Sequence, residues 1–147
     1  MIPFMLETGS GYIDAERAFR RAARARRRAM WLRRLRGGAS DALAVFDERR
    51  LSRAYPSLHG IAEIPLCSIR GTLEPSRASQ FDGEFRPAPI ARRRWERVWL
   101  AERDGGALPP ISVTPVGDGY AVRDGHHRVS VARARGALTI DATVDGA

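Results

Sequence analysis

The sequence has 147 residues, of which 44% are apolar and 29% charged, and this length and balance predict one globular domain. The same composition excludes wholesale disorder, a collagen-like repeat and a disulfide-stapled mini-protein, since the chain contains a single cysteine, Cys67. The opening apolar run, residues 1–6, is followed by Glu7 and has no basic residue before it. We therefore expect neither a signal peptide nor a membrane-spanning helix, and a location in the cytoplasm.

The formal net charge of +8 is concentrated in the first part of the chain. All 25 basic residues are arginine, and the sequence contains neither lysine nor asparagine, which is typical of codon bias. The positions of the arginines are therefore more informative than their number. Residues 1–56 contain 13 arginines against 6 acidic residues, a net charge of +7, whereas residues 57–147 contain 12 against 11.

A long helix is predicted from Asp14 to Arg36, because this stretch contains no Gly or Pro and is rich in Ala, Arg and Leu. Ten of its residues are arginine, and its two acidic residues lie at its start. A stripe of small residues at spacings of three and four predicts close packing on a partner: Ala15, Ala18, Ala22, Ala25, Ala29 and Leu32. The arginines of residues 14–36 could be merely solvated, could contact nucleic acid, or could lie on acidic lipid, and an electrostatic partner is slightly favoured.

A second helix is predicted from Ser40, a good N-cap, to about Arg53, with three side chains turned inward: Leu43, Phe46 and Leu51. After this helix the sequence changes to short apolar runs broken by Gly and Pro, which favours a compact module of mixed structure. We therefore divide the chain into a basic helical N-terminal extension, residues 1–59, and a domain, residues 60–147. The predicted fold class is α+β.

The domain is predicted to contain two helices and four strands. The first strand, Ile61–Ile69, is placed at a sheet edge or a bulge by Pro65. The remaining elements, in chain order, are a loop from Arg70 to Pro89, a helix to Arg103 with Trp95 and Trp99 in the core, a hairpin of residues 111–116 and 120–123 around Gly117-Asp118-Gly119, a helix from about His127 to Arg135, and a strand from Leu138 to Val144.

The stretch Asp124-Gly125-His126-His127-Arg128 is the most informative about chemistry, because a predicted strand runs directly into a predicted helix there. The first turn of a helix offers free N–H groups and the positive end of the helix dipole, and Gly125 lets a ligand approach the backbone. Arg128 adds a bidentate clamp for phosphate, and His126 and His127 add donors that gain charge once a phosphate is bound. Asp124 could hold a magnesium ion or accept a proton from a hydroxyl.

This turn, residues 124–128, together with the predicted strands Ile61–Ile69 and Pro109–Val113, resembles the ParB/sulfiredoxin superfamily over roughly residues 60–145. The corresponding turn is Gly-Glu-Arg-Arg in ParB proteins, where it holds CTP phosphates, and Gly-Cys-His-Arg in sulfiredoxins. In ADP-dependent free-serine kinases it is Asp-Gly-His-Thr-Arg or similar. The kinase turn is the most similar, because every residue matches except His127, which replaces its Thr or Ser.

The resemblance implies a small mixed sheet with helices that binds the phosphates of a nucleotide, ADP, ATP or CTP, with Mg²⁺. It also implies that the loop after the first strand folds over the nucleotide, which makes Arg77 a further phosphate ligand. Glu74 is then a candidate for the catalytic glutamate of the kinases, beside Asp124. His126 stands where sulfiredoxins have their nucleophilic cysteine, so we do not expect sulfinic acid reduction. ParB proteins continue into a helix-turn-helix and a dimerisation domain, so we do not expect partition activity either.

Three functions stay open at this point. The first is phosphoryl transfer from a nucleotide to a small hydroxyl substrate, and the second is nucleotide binding without turnover. The third is a DNA- or RNA-binding accessory role through residues 14–36. The plain alternative for residues 124–128, a helix cap with surface histidines, is disfavoured by the strand-to-helix setting. A metal-thiolate site is not expected from one Cys and three His without ligand spacing.

Overall fold

The computed structural model of the chain describes residues 11–38, 41–51 and 60–145. They form three α-helices and one five-stranded mixed sheet, which confirms the predicted α+β class. The helices are α1 (Gly11–Leu35), α2 (Arg92–Arg103) and α3 (His126–Ala134). The strands are β1 (Ile61–Pro65), β2 (Ile69–Thr72), β3 (Ile111–Val116), β4 (Gly119–Asp124) and β5 (Thr139–Val144). Within the described ranges, no helix has the length and apolar character needed to span a membrane.

The strand order of the sheet is β1-β5-β3-β4-β2. The hairpin of β3 and β4 forms as predicted, and Gly117 in its turn has a φ of +54°, a conformation that glycine adopts readily. β3 pairs in parallel with β5, and β5 pairs antiparallel with β1. β4 pairs in parallel with β2, so the C-terminal ends of these two strands lie side by side. The start of α3 and the loop after β2 are therefore neighbours.

The predicted strand Ile61–Ile69 is wrong as a single element, because it forms two strands at opposite edges of the sheet. β1 ends at Pro65, which lies in an edge strand as predicted. A short 3-10 helix, Leu66–Ser68, then turns the chain, and β2 begins at Ile69. Leu66 in this turn is buried, as are the inward residues of both strands. The apolar pattern of the sequence therefore continues through the turn, so the pattern alone does not indicate that the strand is interrupted.

The second predicted helix, residues 40–53, is also wrong. Its ends lie outside the described residues, and its described part, residues 41–51, is extended apart from one short 3-10 turn. The Phe46 N–H donates to the carbonyl of Thr72 at 2.9 Å, and the Thr72 N–H donates to the carbonyl of Ala44 at 2.9 Å. These bonds satisfy the backbone N–H and C=O groups of Thr72 on the open edge of β2. Local helix propensity does not take such long-range pairing into account.

The hydrophobic core joins α1 to α2 and the sheet. Phe19 of α1 packs edge-on against Trp95 of α2, with ring centroids 5.6 Å apart. Trp95 is fully buried, as predicted, and its Nε1 donates to Oγ of Ser130 in α3 at 2.8 Å. Of the predicted small-residue stripe, Ala15 is buried in this core and Ala18 and Ala22 pack against it, whereas Ala25 and Leu32 are exposed. The core does not stop at the predicted boundary after residue 59, and independent folding of residues 60–147 stays a prediction.

Candidate functional site

The turn between β4 and α3 has the geometry that its sequence predicts. β4 ends at Asp124, Gly125 has a φ of +104°, and α3 begins at His126. A Cβ atom at position 125 would lie 2.5 Å from Cγ2 of Ile111, so both the backbone conformation and the available space require glycine. The first N–H groups of α3 have no partner within the helix and remain available to a ligand.

A cavity of about 110 Å³ lies at this helix start. Its walls come from the turn, from α2 and from the loop after β2, and the lining residues are Arg77, Arg94, Val98, Asp124, Gly125, His126, His127 and Arg128. The structure thus brings together every residue that the sequence predicts to bind phosphate, with Asp124 beside them. Glu74 does not line the cavity. Glu74 is exposed. The negative charge of its carboxylate makes a minor contribution to raising the pKa of Arg123, which lies outside the cavity.

Sequence reasoning missed Arg94, which α2 contributes to the cavity wall. The run of three arginines at the start of α2 resembles a solvated surface in the sequence. One signal in the sequence could have indicated Arg94, namely that it directly precedes Trp95. Because Trp95 is buried in the core, the helical geometry determines the direction in which the side chain of Arg94 points. Three arginines, Arg77, Arg94 and Arg128, line the cavity together with the carboxylate of Asp124, so the cavity carries excess positive charge.

Arg128 has hydrogen-bonding capacity that the protein leaves unused. Its Nη2 lies 4.0 Å from the carboxylate of Asp124, beyond hydrogen-bond distance. Its Nη1 is buried and has no hydrogen-bond partner among the described residues. Burial lowers the pKa of Arg128, against the opposing charges of Asp124 and Glu102, but a guanidinium remains charged at neutral pH. A buried unpaired donor of this kind is unfavourable, and an anion would satisfy it.

His126 and His127 are both buried, at 3% and 5% exposure, so the alternative of surface histidines is wrong. Burial, followed by the neighbouring arginines, lowers the pKa of each from 6.5 to about 4. Both rings contact Phe81, His126 stacked at 6.4 Å and His127 edge-on at 5.1 Å between ring centroids. Both imidazoles are therefore neutral at physiological pH, and the positive charge of the neighbouring arginines contributes to this.

Thr72 connects the loop after β2 to the helix start. Its Oγ1 lies 2.6 Å from Nε2 of His126 and accepts a hydrogen bond from the Glu74 N–H at 2.9 Å. Further along this loop, Nη1 of Arg77 donates to Oε1 of Gln80 at 3.1 Å, which orients the guanidinium. This loop contributes Arg77, rather than Glu74, to the lining of the cavity.

The carboxylate set of the cavity is small. No cluster of three or more His, Cys, Asp or Glu side chains that could hold a metal ion exists in residues 11–38, 41–51 and 60–145. Asp124 is the one carboxylate among the described lining residues, and its side chain is 79% exposed. A Mg²⁺ ion bound with a nucleotide takes one or two carboxylates and completes its shell with phosphate oxygens and water. Asp124 suits that limited role.

Known proteins give little further guidance. No protein-family profile and no curated protein match the chain. Among solved structures, sulfiredoxin from Arabidopsis thaliana is similar, with a TM-score of 0.45 and 23% sequence identity over 60% of this chain and 86% of that one. A likeness this distant assigns neither a family nor a function. The fold and the site define an α+β protein with a small basic cavity at a strand-to-helix turn.

Proposed function

We propose that this chain is a ParB/sulfiredoxin-like domain that binds the phosphates of a nucleotide in the cavity at residues 124–128. The observation that carries the proposal is the buried, unpartnered Nη1 of Arg128 at an open helix start, beside two further arginines. A guanidinium fork matches two phosphate oxygens, and the N–H groups of the helix start bind others. The three guanidinium groups favour an anionic ligand over a neutral one.

The size of the cavity limits which part of a nucleotide enters it. Its volume, about 110 Å³, equals the space of a few water molecules, at ~30 Å³ each, and is below the ~300–1,000 Å³ of pockets that enclose a whole small molecule. Phosphate groups of the nucleotide would enter this cavity, and the nucleoside would lie outside it. ADP, ATP and CTP all carry an α,β-diphosphate, so all three are candidates.

Phosphoryl transfer and binding without turnover would use the same cavity. Transfer demands mainly positioning and neutralisation of charge, which the arginines supply, together with Mg²⁺ held at Asp124. Because Glu74 lies outside the cavity, Asp124 is alternatively the candidate to accept a proton from the acceptor hydroxyl, a role that is open to it only when it does not hold Mg²⁺. Sulfinic acid reduction is not proposed, since Cys67 lies in the turn after β1 and does not line the cavity.

Isothermal titration of the full chain with ADP, ATP and CTP in the presence of Mg²⁺ tests the proposal. We expect Arg128→Ala to lower the affinity at least about tenfold, because a hydrogen bond to a charged group contributes ~1.5–3 kcal/mol. Arg97→Ala is the matched control, since this exposed arginine of α2 lies outside the cavity and should bind as the wild type does. Unchanged affinity in a folded Arg128→Ala protein would remove the proposal.

A second measurement separates the two forms of the function. Phosphorus NMR of ADP or ATP with the protein, Mg²⁺ and small alcohols, serine among them, would detect a phosphorylated product. Formation of a product that depends on Asp124 supports transfer. Binding without product, in a protein whose titration with the nucleotide is normal, leaves the nucleotide as a conformational ligand.

A further inference from the structure

The longest helix presents an arginine face to solvent. Four arginines of α1 follow one another at spacings of three and four and lie on one side of the helix: Arg17, Arg21, Arg24 and Arg28. All four are exposed. The other side of α1 packs into the core through Ala15, Phe19 and Ala23. The core therefore holds the helix in an orientation that keeps this arginine face in solvent.

The charge of the arginine face is not neutralised by the described part of the chain. None of its four arginines forms an ion pair with any residue that the structure describes. The acidic residues of α1 are engaged elsewhere, because Glu16 pairs with Arg20 and Arg92, and Asp14 pairs with Arg103. Four like charges on one helix side repel one another, and a polyanion would relieve that repulsion.

A large aromatic side chain continues the same side of the helix. Trp31 follows Arg28 by three residues and is 61% exposed. A tryptophan in solvent beside a row of arginines offers a stacking surface to an unpaired base. From Arg17 to Trp31 the helix rises about 21 Å, so arginines and tryptophan can act on one extended strand.

We propose that the arginine face of α1, with Trp31, binds single-stranded nucleic acid. The arginines contact successive phosphates, and Trp31 stacks on a base. The cavity at residues 124–128 is a separate site, because no residue of α1 lines it.

An acidic membrane is the rival partner, and the structure disfavours it. A helix that lies in a membrane surface buries an apolar face between the lipid headgroups. In α1 the apolar face, with Phe19, already lies in the core, and the solvent side carries the arginines. Exposed apolar side chains lie at both ends of the helix, at Tyr12 and Ile13 in the first turn and at Met30, Trp31, Leu32 and Leu35 in the last turns, with the arginine face between them. Insertion would require α1 to leave α2.

The test measures the binding of a labelled 20-nucleotide oligothymidine to the full chain by fluorescence anisotropy at several salt concentrations. We expect the affinity to fall steeply with salt, with a slope of about −0.7 per phosphate contact in a plot of log K against log salt. In the triple variant Arg17→Gln, Arg24→Gln, Arg28→Gln, the magnitude of that slope should decrease by about 2, because three phosphate contacts are removed. The matched control, Arg49→Gln, Arg93→Gln, Arg97→Gln, removes the same charge from exposed positions outside the face and should keep it.

Trp31→Ala distinguishes stacking from charge alone. We expect at least about a fivefold loss of affinity for the oligothymidine and no change for a duplex of the same length. Three results would overturn the proposal: equal losses in the two triple variants, an unchanged affinity of Trp31→Ala for the oligothymidine, or tighter binding to phosphatidylserine vesicles than to the oligonucleotide at the same salt. Thermal melts of every variant confirm that the compared proteins are folded.

Discussion

The two buried histidines of the cavity are the residues that should make the free energy of unfolding depend on pH. His126 and His127 have a pKa of about 4 in the folded protein and an ordinary value of 6.5 when unfolded, so the unfolded chain binds more protons between these values. Their contribution is complete above about pH 6.5 and is lost as the pH falls toward 4. Urea unfolding at pH 7 and pH 5 should show this loss. A His126→Gln, His127→Gln protein should lose less over the same interval, and equal losses would contradict the assignment.

A bound phosphate should act on the same residues in the opposite direction. Its negative charge offsets the arginines around His126 and His127 and raises the pKa of both imidazoles, so binding takes up protons. A group whose pKa rises on binding favours the complex at low pH and loses that advantage above its bound-state pKa. The histidines should therefore tighten nucleotide binding as the pH falls, against the opposing effect of the phosphate itself, which titrates near pH 6 and binds less well when it loses charge.

Titration calorimetry between pH 5.5 and 8 on the wild type, His126→Gln and His127→Gln checks this expectation. The titration of the ligand is common to the three proteins, so a difference between their profiles belongs to a histidine. Parallel profiles would assign the site to Arg128, its neighbouring arginines and the backbone.

Single residues also show what the sequence reveals about the candidate site. The turn 124–128 is contiguous, so its Gly, its histidines and Arg128 could be assigned together from local pattern. Arg94 and Thr72 reach the same place from α2 and β2, and no spacing in the sequence links them to the turn. The resemblance makes Glu74 a candidate because the kinases have a catalytic glutamate after the first strand, but Glu74 precedes the 3-10 helix Pro75–Ser79, and it is Arg77, within that helix, that lines the cavity.

At the scale of elements, prediction succeeds where local signals bound the element. Helix α3 stops where Gly136 adopts a φ of +77°, and Pro89 opens the short 3-10 helix that leads into α2. The two wrong elements, residues 40–53 and 61–69, both depend on β2. Their conformations are determined by which edge of the sheet each segment pairs with, and that pairing is long-range.

Gly71→Ala tests the unexpected pairing of residues 44–46 with β2. A Cβ atom at position 71 would lie 2.2 Å from the carbonyl oxygen of Ala44, so the two segments must separate. We expect the free energy of unfolding to fall by ~1–3 kcal/mol, the usual effect of overpacking. Amide hydrogen exchange should show faster exchange of the Phe46 N–H, which bonds to Thr72 in the wild type. Full protection of that amide in the variant would contradict the pairing.

At the scale of the whole molecule, the strand order explains why the site forms. The parallel pairing of β2 with β4 places the end of β2, at Thr72, against the start of α3, at His126, although about fifty residues separate them in the chain. Helix α2 then closes the cavity from the other side, with Trp95 bonded to Ser130 of α3. Composition and pattern predicted the α+β class, whereas this order required the tertiary pairing itself.

Deleting residues 1–38 tests the proposed boundary of the domain. The five strands, α2 and α3 all remain, so the truncated chain should still unfold cooperatively. Its melting temperature should nevertheless be lower, because Phe19 no longer packs on Trp95. Phe19→Ala in the full chain is the matched measure and should lower the free energy of unfolding by ~3–5 kcal/mol. Calorimetry of both proteins decides the question, since a truncated chain without a cooperative transition would make α1 an integral part of the domain and would place its boundary before Gly11.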